Sequence, residues 1–368
     1  MPVRPTRLLI YTLLLTLSAP AFSDPQELRD IMRHLADSVV RLIPITSTQE
    51  FDADEFRTEA ATLKQYFDDA AAHFDDQPVG SQVTYEMLRE RLEQVDRLSI
   101  DQSLISARNL LAESMELCAS CHMQDQVSRP GFGISHVKHL DEFQAAEFSY
   151  LSRDYDSALA SYRNFLNEEK TDSYQRSQAL DRILSIVTEV VGDLTVANSV
   201  FSKLNLIGQS EQYRVRQWQS VFTRLQGESL VSPSRYRTVA AMDQFLSGDW
   251  PALQSFMEWN EQQAYWMLIR RQLNILLQSN SGGEAEPVLL YWLAVADRST
   301  HFQFFESPSK RYLERCVRDH AQHPYARRCF DEYELLMIVS YSGSAGVSMP
   351  TEVREDINAL RKLVYSNP

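Results

Sequence analysis

The chain has 368 residues, 44% of them hydrophobic, and a formal charge of −14. The hydrophobic share supports packed cores. Such acidity argues against a nucleic-acid binder, which needs clustered positive charge, and favours docking to a basic partner surface.

The chain opens with the three parts of a secretory signal. Arg4 and Arg7 give a basic start, Leu8 to Leu17 an apolar run, and Ala21 and Ser23 the small residues of a cleavage point after Ser23. An uncleaved anchor is the competing reading, but the run is short for a spanning helix. No later stretch reaches ~18 uninterrupted apolar residues. A mature chain that is periplasmic and not transmembrane is expected, with a charge of −16 once Arg4 and Arg7 are gone.

Four amphipathic helices are predicted next. The first runs from about Pro25 to Leu42, with Leu28, Ile31, Met32, Leu35, Val39 and Leu42 as its apolar stripe. The second runs from about Asp54 to Phe74. Its residues Phe56, Ala60, Leu63, Phe67, Ala70 and Phe74 are spaced 4-3-4-3-4, a bundle seam. The third, about Val83 to Leu98, uses Leu88, Leu92 and Val95. In the fourth, Leu104, Ala107, Leu111, Ser114 and Cys118 recur at helical steps, as do Leu110, Leu117 and Cys121. Short polar connections such as Asp75-Asp76-Gln77-Pro78-Val79-Gly80 suggest an up-and-down four-helix bundle.

The fourth helix ends in Cys118-Ala119-Ser120-Cys121-His122. C-x-x-C-H is the attachment signature of c-type haem. Two thiols at this spacing reach two vinyl groups of one porphyrin edge, and the adjacent histidine places its imidazole below the iron. A redox C-x-x-C would normally open a helix after a strand, and no strand pattern precedes this one. A zinc site would need a second pair at metal spacing, whereas Cys316 and Cys329 lie far along the chain.

On these residues, the first third of the mature chain resembles the class II c-type cytochromes, the cytochrome c-prime family of four-helix bundles with C-x-x-C-H near the end of the last helix. The resemblance implies one covalent haem c held by Cys118 and Cys121, with His122 as proximal iron ligand. In that family the opposite axial position is filled from the first helix. This helix offers Met32 and His34. Met32 lies on the apolar stripe, whereas His34 is ~200° around the helix, beside Asp30, Asp37 and Arg41. Met32 is therefore the candidate distal ligand, with a core methionine as the alternative. Met87, Met115 and Met123 are weaker candidates. A thioether ligand favours reduced iron and suits an electron carrier.

Ser128-Arg129-Pro130-Gly131-Phe132-Gly133 marks a break. His136 and His139 follow it and read as linker histidines. Beyond residue 140 the chain reads as all-helical, with a recurring alanine and aromatic pair four residues apart: Ala158 and Tyr162, Ala197 and Phe201, Ala252 and Phe256, Ala326 and Phe330. Tyr150 to Tyr162 resembles the turn and second helix of a tetratricopeptide repeat. Spacings of 39, 55 and 74 residues between the alanines depart from that family's period of about 34 residues. An unrelated helical domain is the alternative. Such arrays offer concave surfaces to proteins. Trp259 to Trp266 reads as core. Cys316 and Cys329 are spaced to join two packed helices by a disulfide in an oxidising compartment. A loop at Ser342-Gly343-Ser344-Ala345-Gly346 precedes a final helix from Met349-Pro350-Thr351 to Leu363.

The expected fold is all-α: a signal at 1–23, a bundle at 24–126, a linker at 127–139, a tetratricopeptide-like domain at 140–340, and a C-terminal loop and helix at 341–368. The expected function is a periplasmic monohaem cytochrome, not an enzyme, that exchanges electrons with a redox protein or membrane complex docked by the helical domain. Bundle cytochromes of this kind also form homodimers through helix faces. Two alternatives stay open: a haem-based gas or redox sensor with an open sixth position, and an assembly factor whose haem is structural.

Overall fold

The seam residues Phe56, Ala60, Leu63, Phe67 and Ala70 are all buried, and the first four helices pack around them. The computed structural model describes residues 25–365 except 49, 75–76, 101–102, 125, 130–134, 169–171, 301–306 and 345. The signal expected at 1–23 lies outside the described residues. The helices are α1 (Pro25–Ser47), α2 (Ala53–Asp69), α3 (Val79–Ile100) and α4 (Leu104–Gln124). Each packs on the next, and α1 closes the ring on α4, the arrangement of an up-and-down bundle.

Three boundaries differ from the sequence reading, α3 among them: it opens at Val79 rather than near Val83, taking Val79-Gly80 from the expected connection. α1 continues past Leu42 and through Pro44. Proline removes one donor from the helix ladder. The hydroxyls of Thr46 and Ser47 donate back to the carbonyls of Leu42 (3.0 Å) and Ile43 (2.6 Å) and so occupy acceptors of that last turn. α2 starts where the Asp52 carboxylate accepts the N–H groups of Asp54 (2.8 Å) and Glu55 (2.9 Å). It stops short of Phe74, because a 3-10 turn at Ala71–His73 intervenes. Phe67 and Phe74 then stack on Tyr85 at 4.6 and 4.4 Å.

These contacts also fix levels along the bundle. His34 of α1 stacks on Tyr66 of α2, Phe67 stacks on Tyr85 of α3, and Gln124 of α4 donates to Thr84 (3.3 Å). The first half of α1 therefore shares one end of the bundle with the last turn of α4.

The rest of the described chain is helical except for a two-residue hairpin, Ser342–Gly343 with Gly346–Val347. Its helices are α5 (Glu142–Leu151), α6 (Tyr155–Asn167), α7 (Ser173–Ser185), α8 (Leu194–Phe201), α9 (Gln209–Gln226), α10 (Val239–Gln244), α11 (Trp250–Gln254), α12 (Trp259–Asn280), α13 (Glu286–Thr300), α14 (Pro308–Asp319), α15 (Pro324–Ser340) and α16 (Thr351–Tyr365). π-helical turns follow α7 (Ile186–Val191) and α10 (Phe245–Asp249). Among the described residues no helix is long and apolar enough to cross a membrane.

The stretch from Tyr150 to Tyr162 forms the end of α5, a turn and most of α6, with Ala158 and Tyr162 fully buried. Ala197 with Phe201 and Ala326 with Phe330 are buried in the same way. Ala252 with Phe256 is not: Phe256 is 84% exposed. α11 ends at Gln254, so Phe256 falls beyond the helix that would have turned it inward. In the aromatic stretch, Tyr265 and Trp266 are core, whereas Trp259 is 61% exposed. Cys316 and Cys329 form a disulfide between α14 and α15, with their Cα atoms 6.3 Å apart.

The two halves meet along a broad seam. α5 lies against α1 and α4, α14 against α3, and α12 against both α3 and α4. Arg182 of α7 bonds Glu116 of α4 at 2.7 Å. The side chain of Gln278 donates to the carbonyl of Gln124 (2.6 Å), and that of Gln126 to the carbonyl of Arg271 (3.1 Å). α12 thus clamps the end of α4.

Candidate haem-attachment site

A helix brings residues i, i+3 and i+4 to one face, so Cys118, Cys121 and His122 share one side of the last turns of α4. All three are half-buried, whereas Ala119 and Met123 between and beside them point into the core. The face they occupy is turned toward the seam rather than the bundle seam of α2.

His122 has a defined partner. Its Nδ1 lies 2.8 Å from the carbonyl oxygen of Leu151, the last residue of α5. Carbonyls at a helix end lack an intrahelical donor, and this one takes its proton from an imidazole. A carbonyl only accepts, so in the neutral ring Nδ1 carries the hydrogen and Nε2 carries the lone pair. That is the tautomer of a histidine that ligates metal through Nε2 while its other nitrogen is held by a second group. Beyond Leu151 the chain turns sharply through Arg153, whose φ of 71° is left-handed. Below it, the hydroxyl of Tyr150 donates to the sulfur of Met123 at 3.8 Å.

The thiols are not arranged for redox exchange. Burial, and after it the neighbouring Cys121, push Cys118 up to about 12. Catalytic C-x-x-C thiols are lowered instead, commonly by a helix N-terminus. This pair sits at a helix C-terminal end, where the dipole disfavours a thiolate. Among the described residues no three His, Cys, Asp or Glu side chains converge as a metal-binding group.

Around the motif the helical domain supplies buried polar groups. Burial raises the phenols of Tyr155 on α6 and Tyr312 on α14, and the nearby Cys121 adds to both shifts. The Tyr155 hydroxyl is buried without a hydrogen-bond partner among the described residues. A cavity of about 30 Å³ lies against the same turn, lined by Ser120, Met123 and Gln124 of α4 and by Arg270, Arg271 and Asn274 of α12. It has room for about one water, so a porphyrin enters only if the seam opens. The donor chemistry does fit a c-type haem: two thiols and an imidazole held through Nδ1 stand on one face of α4.

Met32 lies half-buried on α1, packed against the core. It stands near the level of the last turn of α4 by the stacking register above. His34 is exposed and stacked on Tyr66 at 4.8 Å. Met87, Met115 and Met123 are buried. His139 is exposed, and the side chain of His136 lies outside the described residues.

The sequence reading missed the groups brought to α4 from elsewhere. The carbonyl of Leu151 carries no sequence signal. Arg270 and Arg271 did carry one: two adjacent charges directly after the run Tyr265-Trp266-Met267-Leu268-Ile269, in a helix otherwise fit for burial. No protein-family model matches the chain, and no curated protein or solved structure is significantly similar to it.

Proposed function

We propose that this chain is a periplasmic monohaem c-type cytochrome that exchanges electrons with a protein partner. The observation that carries the proposal is the placement of C-x-x-C-H: three ligating groups on one face at the end of α4, with His122 held through Nδ1 by the Leu151 carbonyl. Cys118 and Cys121 would hold the group and His122 would ligate its iron. The haem, when bound, supplies a one-electron couple.

The remaining work belongs to the chain's own residues. The Leu151 carbonyl orients the His122 ring and increases its basicity as a ligand. Half-burial of both thiols keeps one edge of the site near the surface, where an electron can leave. The helical domain encloses the other side. Met32, from the first helix, is the distal ligand in this reading and would favour reduced iron. The acidic surface favours a basic docking partner.

The test is a spectrum of reduced protein purified from a strain that matures c-type haem, with and without carbon monoxide, on wild type and Met32→Ala. Covalent haem should survive denaturing electrophoresis and vanish in Cys118→Ser/Cys121→Ser. Low-spin bands indifferent to carbon monoxide in wild type, turning high-spin and reactive in Met32→Ala, are expected. A high-spin wild type that binds carbon monoxide would remove Met32 as ligand and make the chain a gas sensor. Protein with no covalent haem would end the cytochrome reading.

A further inference from the structure

Helix α14 begins on a residue that does not cap it. Ser307 stands at the N-cap, where a serine hydroxyl normally accepts an N–H of the first turn, yet it makes no capping bond. Pro308 brings no N–H. The N–H of Ser309 goes instead to Asp297 of α13 (3.2 Å), which also accepts the Ser309 hydroxyl (2.7 Å). Asp297 thus does the work of the cap, and the Ser307 hydroxyl is left over although the residue is only 6% exposed. Three residues on, Lys310 has no ion pair among the described residues.

Ser307 and Lys310 both line a cavity of about 380 Å³ between the two halves of the molecule. Its bundle wall comes from α3 and α4, and its other wall from the start of α14 and the end of α15. Arg91 of α3, 5% exposed, is set into the bundle wall and donates to the carbonyl of Glu113 (3.4 Å). Leu110, Leu336 and Met337 give the cavity an apolar side. Glu113, the acidic residue of the lining, is exposed. A chain of charge −14 therefore turns two cations and an uncommitted hydroxyl into one recess. The size and the mix of apolar wall with a few polar groups are those of a small-molecule site. Water can serve the hydroxyl and the ammonium, but it gains nothing from the apolar side.

We propose that this cavity binds an amphipathic organic acid, its carboxylate met by Lys310, Ser307 and Arg91 and its apolar body laid along Leu110, Leu336 and Met337. Ammonium, hydroxyl and guanidinium all donate, and a carboxylate only accepts, so the match is charge-assisted on every side. The inference goes beyond the cytochrome reading and does not depend on it. Its consequence is a coupling: both halves contribute to the cavity, so the bound acid ties the bundle to the helical domain and stabilises the folded chain in proportion to its occupancy.

The experiment is an isothermal titration of the full purified chain with octanoate, with octanamide as the uncharged probe and acetate as the truncated one. It is run on wild type, Lys310→Gln, Lys310→Arg and Ser307→Ala, and paired with urea midpoints read by tryptophan fluorescence. Octanoate should bind wild type and raise its urea midpoint. Lys310→Gln should weaken octanoate about tenfold, Ser307→Ala by less, and Lys310→Arg should keep most of the affinity. Octanamide and acetate should each bind at least about tenfold more weakly than octanoate. Without ligand the variants should unfold near wild type, because neither side chain has a partner to lose. Octanoate that binds all four proteins equally sits elsewhere and overturns the inference. Octanamide or acetate binding as well as octanoate overturns it too, since the cavity would then read only the apolar body or only the charge. Wild type that gives neither heat nor added stability with octanoate ends it.

Discussion

The bundle and the helical domain bury different things. In α1–α4 the interior is mainly an apolar seam with an aromatic stack at one end, Phe67 and Phe74 on Tyr85, and its buried arginine, Arg91, donates to a backbone carbonyl. The helical domain is apolar too, but it draws arginine–carboxylate pairs inward. Arg176, 1% exposed, holds Glu211 at 2.8 Å and donates to the carbonyls of Leu166 and Asn205, both at 2.9 Å. Arg182 bonds Glu116 and Glu147, and Arg270 bonds Glu189. A heptad-like seam packs four parallel or antiparallel helices without polar help. Helices of unequal length, broken by two π turns, leave backbone carbonyls at irregular places, and a long forked side chain reaches them. The polar interior therefore follows from the irregular one.

The largest break in that comparison should come from Arg176→Ala. It leaves a half-buried carboxylate and two carbonyls without their donor, an expected loss of about 3 kcal/mol. All five tryptophans lie between residues 218 and 292, so tryptophan fluorescence in urea reports on the helical domain alone. Its midpoint should fall sharply. On the cytochrome proposal, haem absorbance reports on the bundle and should move less. Equal shifts in both signals would mean that the two units unfold as one.

Cutting the disulfide should come next. The loop closed between Cys316 and Cys329 is short, which corresponds to about 3 kcal/mol in the chain-entropy account. Cys316→Ser/Cys329→Ser, melted beside oxidised wild type, should lose that much in the tryptophan signal. A loss below about 1 kcal/mol would mean that α14 and α15 are already fixed by their packing.

Acid probes the Arg176 pair from the other side. Burial would raise Glu211, but the hydrogen bonds and charge of Arg176, with the N–H groups of Gly208 and Ile207, outweigh it and hold the carboxyl below its usual value. Its stabilisation is therefore complete above the unfolded glutamate pKa of about 4.3 and is lost as pH falls through the lower folded value. Tryptophan-detected stability should fall on acidification below that point. In Glu211→Gln the acid slope should flatten, at a lower stability throughout.

The same contrast explains how much could be read in advance. The four-helix pattern of α1–α4 and the position of C-x-x-C-H at the end of α4 were legible, because both are local: the seam repeats every three or four residues, and the motif spans five. α1 overran its expected end, because the carbonyls of its last turn find donors in the hydroxyls of Thr46 and Ser47, which no apolar periodicity announces. In the helical domain the alanine and aromatic recurrence found three buried pairs and one exposed one, since helix length, not spacing, decides whether Phe256 turns inward. The ion pairs were not legible. Arginine on an amphipathic helix reads as solvated, and its partners stand 35 residues away for Arg176 and 81 for Arg270. The carbonyl that orients His122 is backbone 29 residues on, invisible to any reading of side chains.

The smallest effect expected is at the seam's surface. Arg311 of α14 pairs with Glu90 of α3, their side chains 26% and 49% exposed. Exposed pairs of this kind contribute about 0–1 kcal/mol, because water and salt screen them and two long side chains must be ordered. Glu90→Gln should shift the tryptophan midpoint, and on the cytochrome proposal the haem midpoint, by less than about 0.5 kcal/mol, and salt should leave the two transitions as close together as before. The links expected to hold the halves together are the partly buried ones: Arg182 on Glu116, Gln278 on the Gln124 carbonyl, and His122 on Leu151. A large effect of Glu90→Gln, or a separation of the transitions in salt, would reverse that ranking. The helical domain would then be a detachable, charge-held partner of the bundle, and the motif on α4 would be covered only while the charges hold.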